Sequence, residues 1–181
     1  IKVFLYCCEL FEQIKKINPK KLVLISTVDV YKNPVDVDET TEIDTEGLAA
    51  YGLNRYRLEQ MVRERYEDVL IIRLPGLFGR NIKKNFIYDF INVIPSMLKA
   101  DKYNELSERS SMVKDAYTDL ANGFYKRTAP SEELKAEFKR LGFSALNFTD
   151  SRGVFQFYNL GNLWKDINIA LENDIKLLNR C

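Results

Sequence analysis

The 181-residue chain contains no histidine. That removes Ser-His-Asp and Cys-His catalysis and most zinc sites. Any acid–base chemistry must therefore come from Tyr, Lys, Asp, Glu or a relay through hydroxyls. Glycine is sparse, with eight scattered residues and no Gly-x-Gly-x-x-Gly or Gly-x-x-Gly-x-x-Gly, so no phosphate-cradling turn is present. The three cysteines are the adjacent Cys7 and Cys8 and the last residue, Cys181. That spacing makes neither a disulfide framework nor a metal site, and it predicts free thiols and a cytoplasmic location. No apolar run approaches the roughly 20 residues of a membrane helix, and Glu9 cuts short the apolar start before any signal-peptide pattern develops. The net charge of +1 gives no global attraction to nucleic acid or to an anionic membrane, and neither is expected as a partner.

What is present fits a soluble globular protein: 46% hydrophobic and 29% charged residues, on a chain long enough for one ordinary core or most of a larger one. Residues 1–17 place Val3, Phe4, Cys7, Leu10, Phe11, Ile14 and Ile17 at helical spacing, and Asn18-Pro19 ends the helix. The chain begins without Met and inside this pattern, so a preceding segment is expected. Residues 21–26 read as a short strand buried on both faces, with 28–31 continuing it or turning off its end. A polar, acidic loop over 32–47 follows, then an amphipathic helix over 48–66 with Arg and Glu at i,i+4 spacing. Residues 69–74 are a second buried-type strand, punctuated by Pro75-Gly76. This helix–strand–helix–strand alternation predicts a parallel α/β sheet, whose ligands sit beyond the carboxyl ends of its strands.

Near residue 80 the composition changes. The spacing predicts helices over 84–93, 95–108, 114–127 and 131–141, the last started by Ser131 as N-cap. Short extended pieces are expected at 145–150 and 154–158. A final helix capped by Asn162 is expected to carry Leu163, Ile167, Ala170, Leu171, Ile175 and Leu178. Two regions result: residues 1–80 with the sheet, and residues 81–181, mostly helical and packing back on the sheet. The many aromatics of 82–141 lack a basic groove pattern, so core or pocket packing is a better reading than base stacking.

One set of side chains has the right chemistry for proton transfer. Thr27 closes the first strand, Tyr51 opens the following helix, and Arg55 lies one turn on, on the same helix face. A small hydroxyl orients a carbinol or carbonyl oxygen, a phenol gives or takes its proton, and a fixed cation favours phenolate.

Several segments in order resemble one family. Ser26-Thr27-Val28-Asp29-Val30-Tyr31 looks like the Ser-[Ser/Thr]-x-x-Val-Tyr segment of the extended short-chain dehydrogenase/reductases, the NAD-dependent epimerases and dehydratases of nucleotide sugars. Tyr51-Gly52-Leu53-Asn54-Arg55 looks like their Tyr-x-x-x-Lys signature, at the family's spacing. Arg73-Leu74-Pro75-Gly76-Leu77-Phe78-Gly79 resembles their strand and loop over the nicotinamide. Asn85-Phe86 falls where the family binds a substrate diphosphate. Phe157-Tyr158-Asn159-Leu160-Gly161-Asn162-Leu163 resembles the element before a late helix.

The resemblance implies a partial, C-terminal portion of a Rossmann-like parallel sheet with a mostly helical substrate-binding region. It implies an NAD(P)-dependent oxidoreductase or epimerase acting on a nucleotide-linked sugar or related polyol. Thr27, Tyr51 and Arg55 would be catalytic. Ser26, Tyr51, Arg55, Leu74 and Pro75 would contact NAD or NADP, and Asp29, Gly76, Asn85 and Phe86 the substrate, with no metal. A homodimer seam on the 48–66 helix is implied as well, though its charge argues against a wholly apolar one. Three departures matter. Arg55 replaces Lys and cannot lose a proton. Val28-Asp29 replaces the Asp-Glu pair of the 4,6-dehydratases, so that chemistry is not expected, and Asp29 reads equally as a substrate contact or a turn residue. The glycine-rich turn is missing, which the resemblance would place before residue 1. A catalytically degenerate relative, serving as a cofactor-binding or assembly subunit, is the alternative; an unrelated α/β piece with a helical interaction module is the third reading.

Overall fold

A computed structural model describes residues 2–83, 85–150 and 152–180, with backbone alone for 2–5. The side chains of Val3 and Phe4, the expected helix start at Lys84 and the terminal Cys181 lie outside the described residues. The protein is α/β, with parallel sheets. The chain forms two compact units, residues Ile1–Arg80 with Phe155–Cys181, and Asn81–Val154. The first unit therefore takes in the chain's last stretch, which the sequence grouped with the helical region.

The first unit is built on a three-stranded parallel sheet. α1 (Lys2–Ile17) leads into β1 (Leu22–Thr27), and α2 (Ala50–Arg65) connects it to β2 (Val69–Leu74) in parallel. β2 is central and buried at every position, as a run of Val, Leu and Ile between two helical layers demands. Side chains alternate between its faces. Val69 and Ile71 pack with Cys7 and Ile14 of α1 and Leu58 and Val62 of α2. Leu70, Ile72 and Leu74 pack with Tyr158 and with Ile167 and Ala170 of the late helix α7 (Leu163–Glu172). Leu58 and Val62 are fully buried, each worth roughly 1.5–3 kcal/mol of apolar transfer.

The final helix is shorter than its periodicity suggests. α7 stops at Glu172, Asp174 takes a left-handed φ of 54°, and the chain returns as the strand Leu177–Asn179, parallel to β2. Asn and Asp tolerate that conformation, and β2 offers an unpaired edge, so Leu178 belongs to a strand and not to the helix. Asn162 makes no side-chain cap there; Asn159 bonds the Gly161 N–H instead. A second, two-stranded parallel sheet joins Gly76–Phe78 to Phe157–Asn159.

A partly buried triad closes this end of the unit. Asp166 accepts a hydrogen bond from the Tyr158 hydroxyl and one from Arg180 Nη2 at 2.5 Å. Burial works to raise the Asp166 carboxyl, but these two donors outweigh it and hold it below the ordinary range, while burial and the neighbouring carboxylate push the Tyr158 phenol to about 12. A depressed carboxylate adds stability above its unfolded value, near ~3.9, and loses it as pH falls through the folded value. Urea midpoints are accordingly expected to drop between pH 5 and pH 2. In Asp166→Asn the midpoint at pH 7 falls and the acid-side drop shrinks.

In the second unit, the helix expected over 114–127 is a short helix, Ser111–Ala116, followed by a hairpin of Tyr117–Asp119 and Phe124–Arg127. Asn122-Gly123 is a strong hairpin signal, and Ala121 and Gly123 hold φ values of 55° and 82° to make the turn. A third strand, Met97–Lys99, pairs antiparallel with Phe124–Arg127 where a helix was expected to begin; the helix proper is Ala100–Arg109. Phe86–Asn92 and Glu132–Arg140 are helical, the latter capped by Ser131 as its sequence indicates. Ala145–Phe148 is a 3-10 turn instead of an extended piece, because Ser144 and Asn147 bond each other's backbone. Leu98, Leu106, Val113 and Phe138 centre this unit's core.

Among the described residues, no helix is long and apolar enough to cross a membrane. None of their Cys, Asp or Glu side chains cluster to hold a metal ion.

Candidate active site at the end of the first strand

Ser26 and Thr27 follow one another on β1 and so face opposite sides of the sheet. Ser26 turns toward α2 and donates to Glu59 Oε1 at 2.5 Å, buried. Its hydroxyl proton is thereby committed to a carboxylate of the protein. Thr27 ends the strand level with Leu74 of β2, and Pro75 follows directly at the neighbouring strand end. The Thr27 hydroxyl caps a 3-10 turn, Val28–Val30, by accepting the Asp29 N–H at 3.1 Å. Asp29 is thereby swung out into solvent, while Val28 and Val30 are buried.

Helix α2 approaches this turn more closely than any side chain allows. A Cβ on Gly52 would lie 1.9 Å from the Asp29 carbonyl oxygen and 2.8 Å from its carbon. Gly52 is thus the residue that lets Tyr51 stand beside the strand end. Tyr51 is 46% exposed and shares with Asp29 the wall of a pocket of about 450 Å³ that Lys32, Pro34 and Leu48 complete. Thr27 and Arg55 do not line that pocket. Thr27 reaches it through the Asp29 backbone. Arg55 stands over the Tyr51 ring, its guanidinium carbon 5.7 Å from the centroid, as the i,i+4 spacing on α2 predicts.

Under the pocket lies a charged network that the motifs gave no hint of. Glu59 of α2 is 0% exposed and Arg73 of β2 is 2% exposed. Arg73 Nη2 donates to Glu59 Oε2 at 2.6 Å and its Nε spans both carboxylate oxygens. Its Nη1 donates to the Tyr31 hydroxyl at 2.7 Å. Burial opposes the charge on Arg73, but Glu59 and Tyr31 outweigh it and raise its pKa. The Tyr31 hydroxyl also accepts from Asn179 Nδ2 and donates to the Asp38 carbonyl, so one phenol joins β2, the last strand and the acidic loop. Lys32 ties the same loop down through Asp44 and the Glu46 carbonyl. One signal for this network was available: an Arg inside an otherwise apolar buried strand requires a buried carboxylate.

The groups left with free chemistry at the pocket are the Asp29 carboxylate and the Tyr51 phenol, since Tyr31 and Lys32 are committed to hydrogen bonds. Val28, where a dehydratase would need an acid, is buried and apolar. Gly76, expected to touch substrate, is packed so that a Cβ would meet the Phe157 ring at 3.0 Å and the Gln156 oxygen at 3.1 Å. Asn85 and Phe86 belong to the second unit. Asn85 Oδ1 accepts the Tyr88 N–H at 2.8 Å and caps its own helix, and its Nδ2 has no partner among the described residues. The Phe86 ring stacks near Phe90, centroids 6.3 Å apart.

The close-packed glycines here, 52 and 76, accommodate protein and leave no cradle for a pyrophosphate. Comparison with protein-family models, curated proteins and solved structures finds no match to this chain.

Proposed function

We propose that the first unit is the catalytic portion of a Rossmann-like domain, and that the protein is a cytoplasmic NAD(P)-dependent oxidoreductase or epimerase acting on a nucleotide-linked sugar or related polyol. One observation supports this reading: a half-exposed phenol and a free carboxylate share a pocket at the carboxyl end of a parallel strand, with a capped threonine hydroxyl behind them. Tyr51 Oη takes the proton of a substrate hydroxyl and returns it in the reverse direction. Asp29 accepts a hydrogen bond from a neighbouring substrate hydroxyl. Arg55 keeps a positive charge beside the Tyr51 ring. Tyr51, Arg55 and the 74–75 backbone would hold the nicotinamide end of NAD or NADP, which would supply the hydride acceptor and donor. Its pyrophosphate is not held by any glycine-rich turn of these residues.

The second reading, a cofactor-binding or assembly subunit without turnover, draws on the same contact. Arg55 holds the place of a proton-relaying Lys and cannot release a proton.

The test is nicotinamide absorbance for net redox turnover, with NMR of the sugar for redox-neutral epimerisation, during incubation of the gene product with NAD or NADP and nucleotide sugars, alongside thermal shift. Turnover is expected, falling at least about 10²-fold in Tyr51→Phe with the melting temperature unchanged. Cofactor stabilisation without turnover selects the second reading. Absence of any cofactor-dependent shift defeats both.

A further inference from the structure

The second unit contains a pocket of about 600 Å³, within the size range of small-molecule sites, and none of its nine lining residues is acidic. Three are cations: Lys83, Lys126 and Arg127. Among the described residues none of these three forms an ion pair, although most of the ion pairs on this chain join cations to acids close by in sequence. Arg127 is fixed in place, since its Nη1 donates to the Ile94 carbonyl at 3.0 Å and its backbone N–H to the Ser96 carbonyl at 3.1 Å. Lys126 sits on the middle strand of the antiparallel sheet, directly opposite Met97. Met97, Leu120 and Tyr88 supply an apolar wall to the same cavity.

Like charges gathered in one concavity repel each other and focus a positive potential there. A solvated cationic face would spread such residues over a convex surface. Here they line one cavity with a phenol ring, a thioether and a leucine. Lys126 shares its sheet face with Met97 and, with Lys83, offers a phosphate point charges, while Arg127, the next residue on the strand, turns its side chain to the opposite face and bonds the Ile94 carbonyl. A flat or apolar body matches the wall.

We propose that this pocket binds a phosphomonoester carried on an aromatic or apolar body, with Lys83 and Lys126 on the phosphate and Met97, Leu120 and Tyr88 against the body. The site stands independently of the Tyr51 chemistry, because it lies wholly within the second unit and is read out by binding alone.

Titration of the protein with phenyl phosphate, inorganic phosphate and phenol tests it, followed by NMR at the Met97 and Leu120 methyl groups and by calorimetry. Phenyl phosphate is expected to saturate and to shift both methyls, binding at least about tenfold more tightly than either fragment. Raising the salt concentration weakens it. The double variant Lys83→Gln/Lys126→Gln, altered only at exposed side chains, is expected to keep its melting temperature and to bind at least about tenfold more weakly. Three outcomes overturn the proposal: no saturable shift at Met97 and Leu120 in the unaltered protein, equal affinity for phenyl phosphate and inorganic phosphate, or undiminished binding by the folded double variant.

Discussion

Arg73→Met is expected to lower the unfolding free energy by about 3–5 kcal/mol, because it strands the Glu59 carboxylate in the interior with only the Ser26 hydroxyl for company. Against a typical stability of about 5–15 kcal/mol, that is a large fraction of the total. Glu59→Met should cost a similar amount, leaving the guanidinium with Tyr31 alone. The double variant Glu59→Met/Arg73→Met should recover most of the loss. Two well-packed apolar chains of similar volume do not have to repay the desolvation of two charges. A double-mutant cycle by urea denaturation measures this directly, and the expected coupling is among the largest in the molecule. If both single variants unfold within about 1 kcal/mol of the parent, the ion pair contributes nothing to the fold.

Gly52→Ala is expected to destabilise the first unit by about 3 kcal/mol, at the upper end for overpacking. Alanine gains up to roughly 1 kcal/mol of helix propensity over glycine, which on its own would stabilise. The contact decides the sign. The added methyl carbon would sit 1.9 Å from the Asp29 carbonyl oxygen, and the next nearest atoms are also backbone, so no rotamer change relieves it. The start of α2 must back away from β1, carrying Tyr51 with it. A fall in urea midpoint together with a changed Tyr51 environment by fluorescence or NMR is the expected pair of results. A neutral or stabilising Gly52→Ala would mean that α2 does not approach the turn this closely.

These two sites also mark where the sequence was readable and where it was not. The strand at 69–74 was legible because six consecutive residues suited only a strand buried on both faces. The adjacency of Tyr51 and Arg55 follows from helical geometry alone. The closeness of α2 to the β1 end does not, because it depends on a steric absence at Gly52 felt across more than twenty residues. Glu59 looked like one more surface charge on a charged helix, and only its partner in β2 reveals it as buried. In the second half, amphipathic spacing favoured helix over 114–127, but Thr118, the aromatics around it and the Asn122-Gly123 turn carried a competing hairpin signal that tertiary pairing with Met97–Lys99 made decisive. At the candidate site, Thr27, Tyr51 and Pro75-Gly76 were expected to converge, but it is Asp29 that shares a pocket with Tyr51, while Ser26 bonds a carboxylate its motif does not contain and Gly76 packs against Phe157.

The first unit is interrupted: its sheet takes two strands from before residue 80 and one from the last five residues, with all of Asn81–Val154 strung between them. For the sheet, that whole unit is a loop. While it is folded, the separation of its two ends is fixed. When it unfolds, the same closure must be made by a long flexible chain, with an entropy penalty that grows by about 0.6 kcal/mol for each doubling of loop length. Chain connectivity therefore links the two units in stability. A substitution confined to one core will change how firmly the other keeps its last strand.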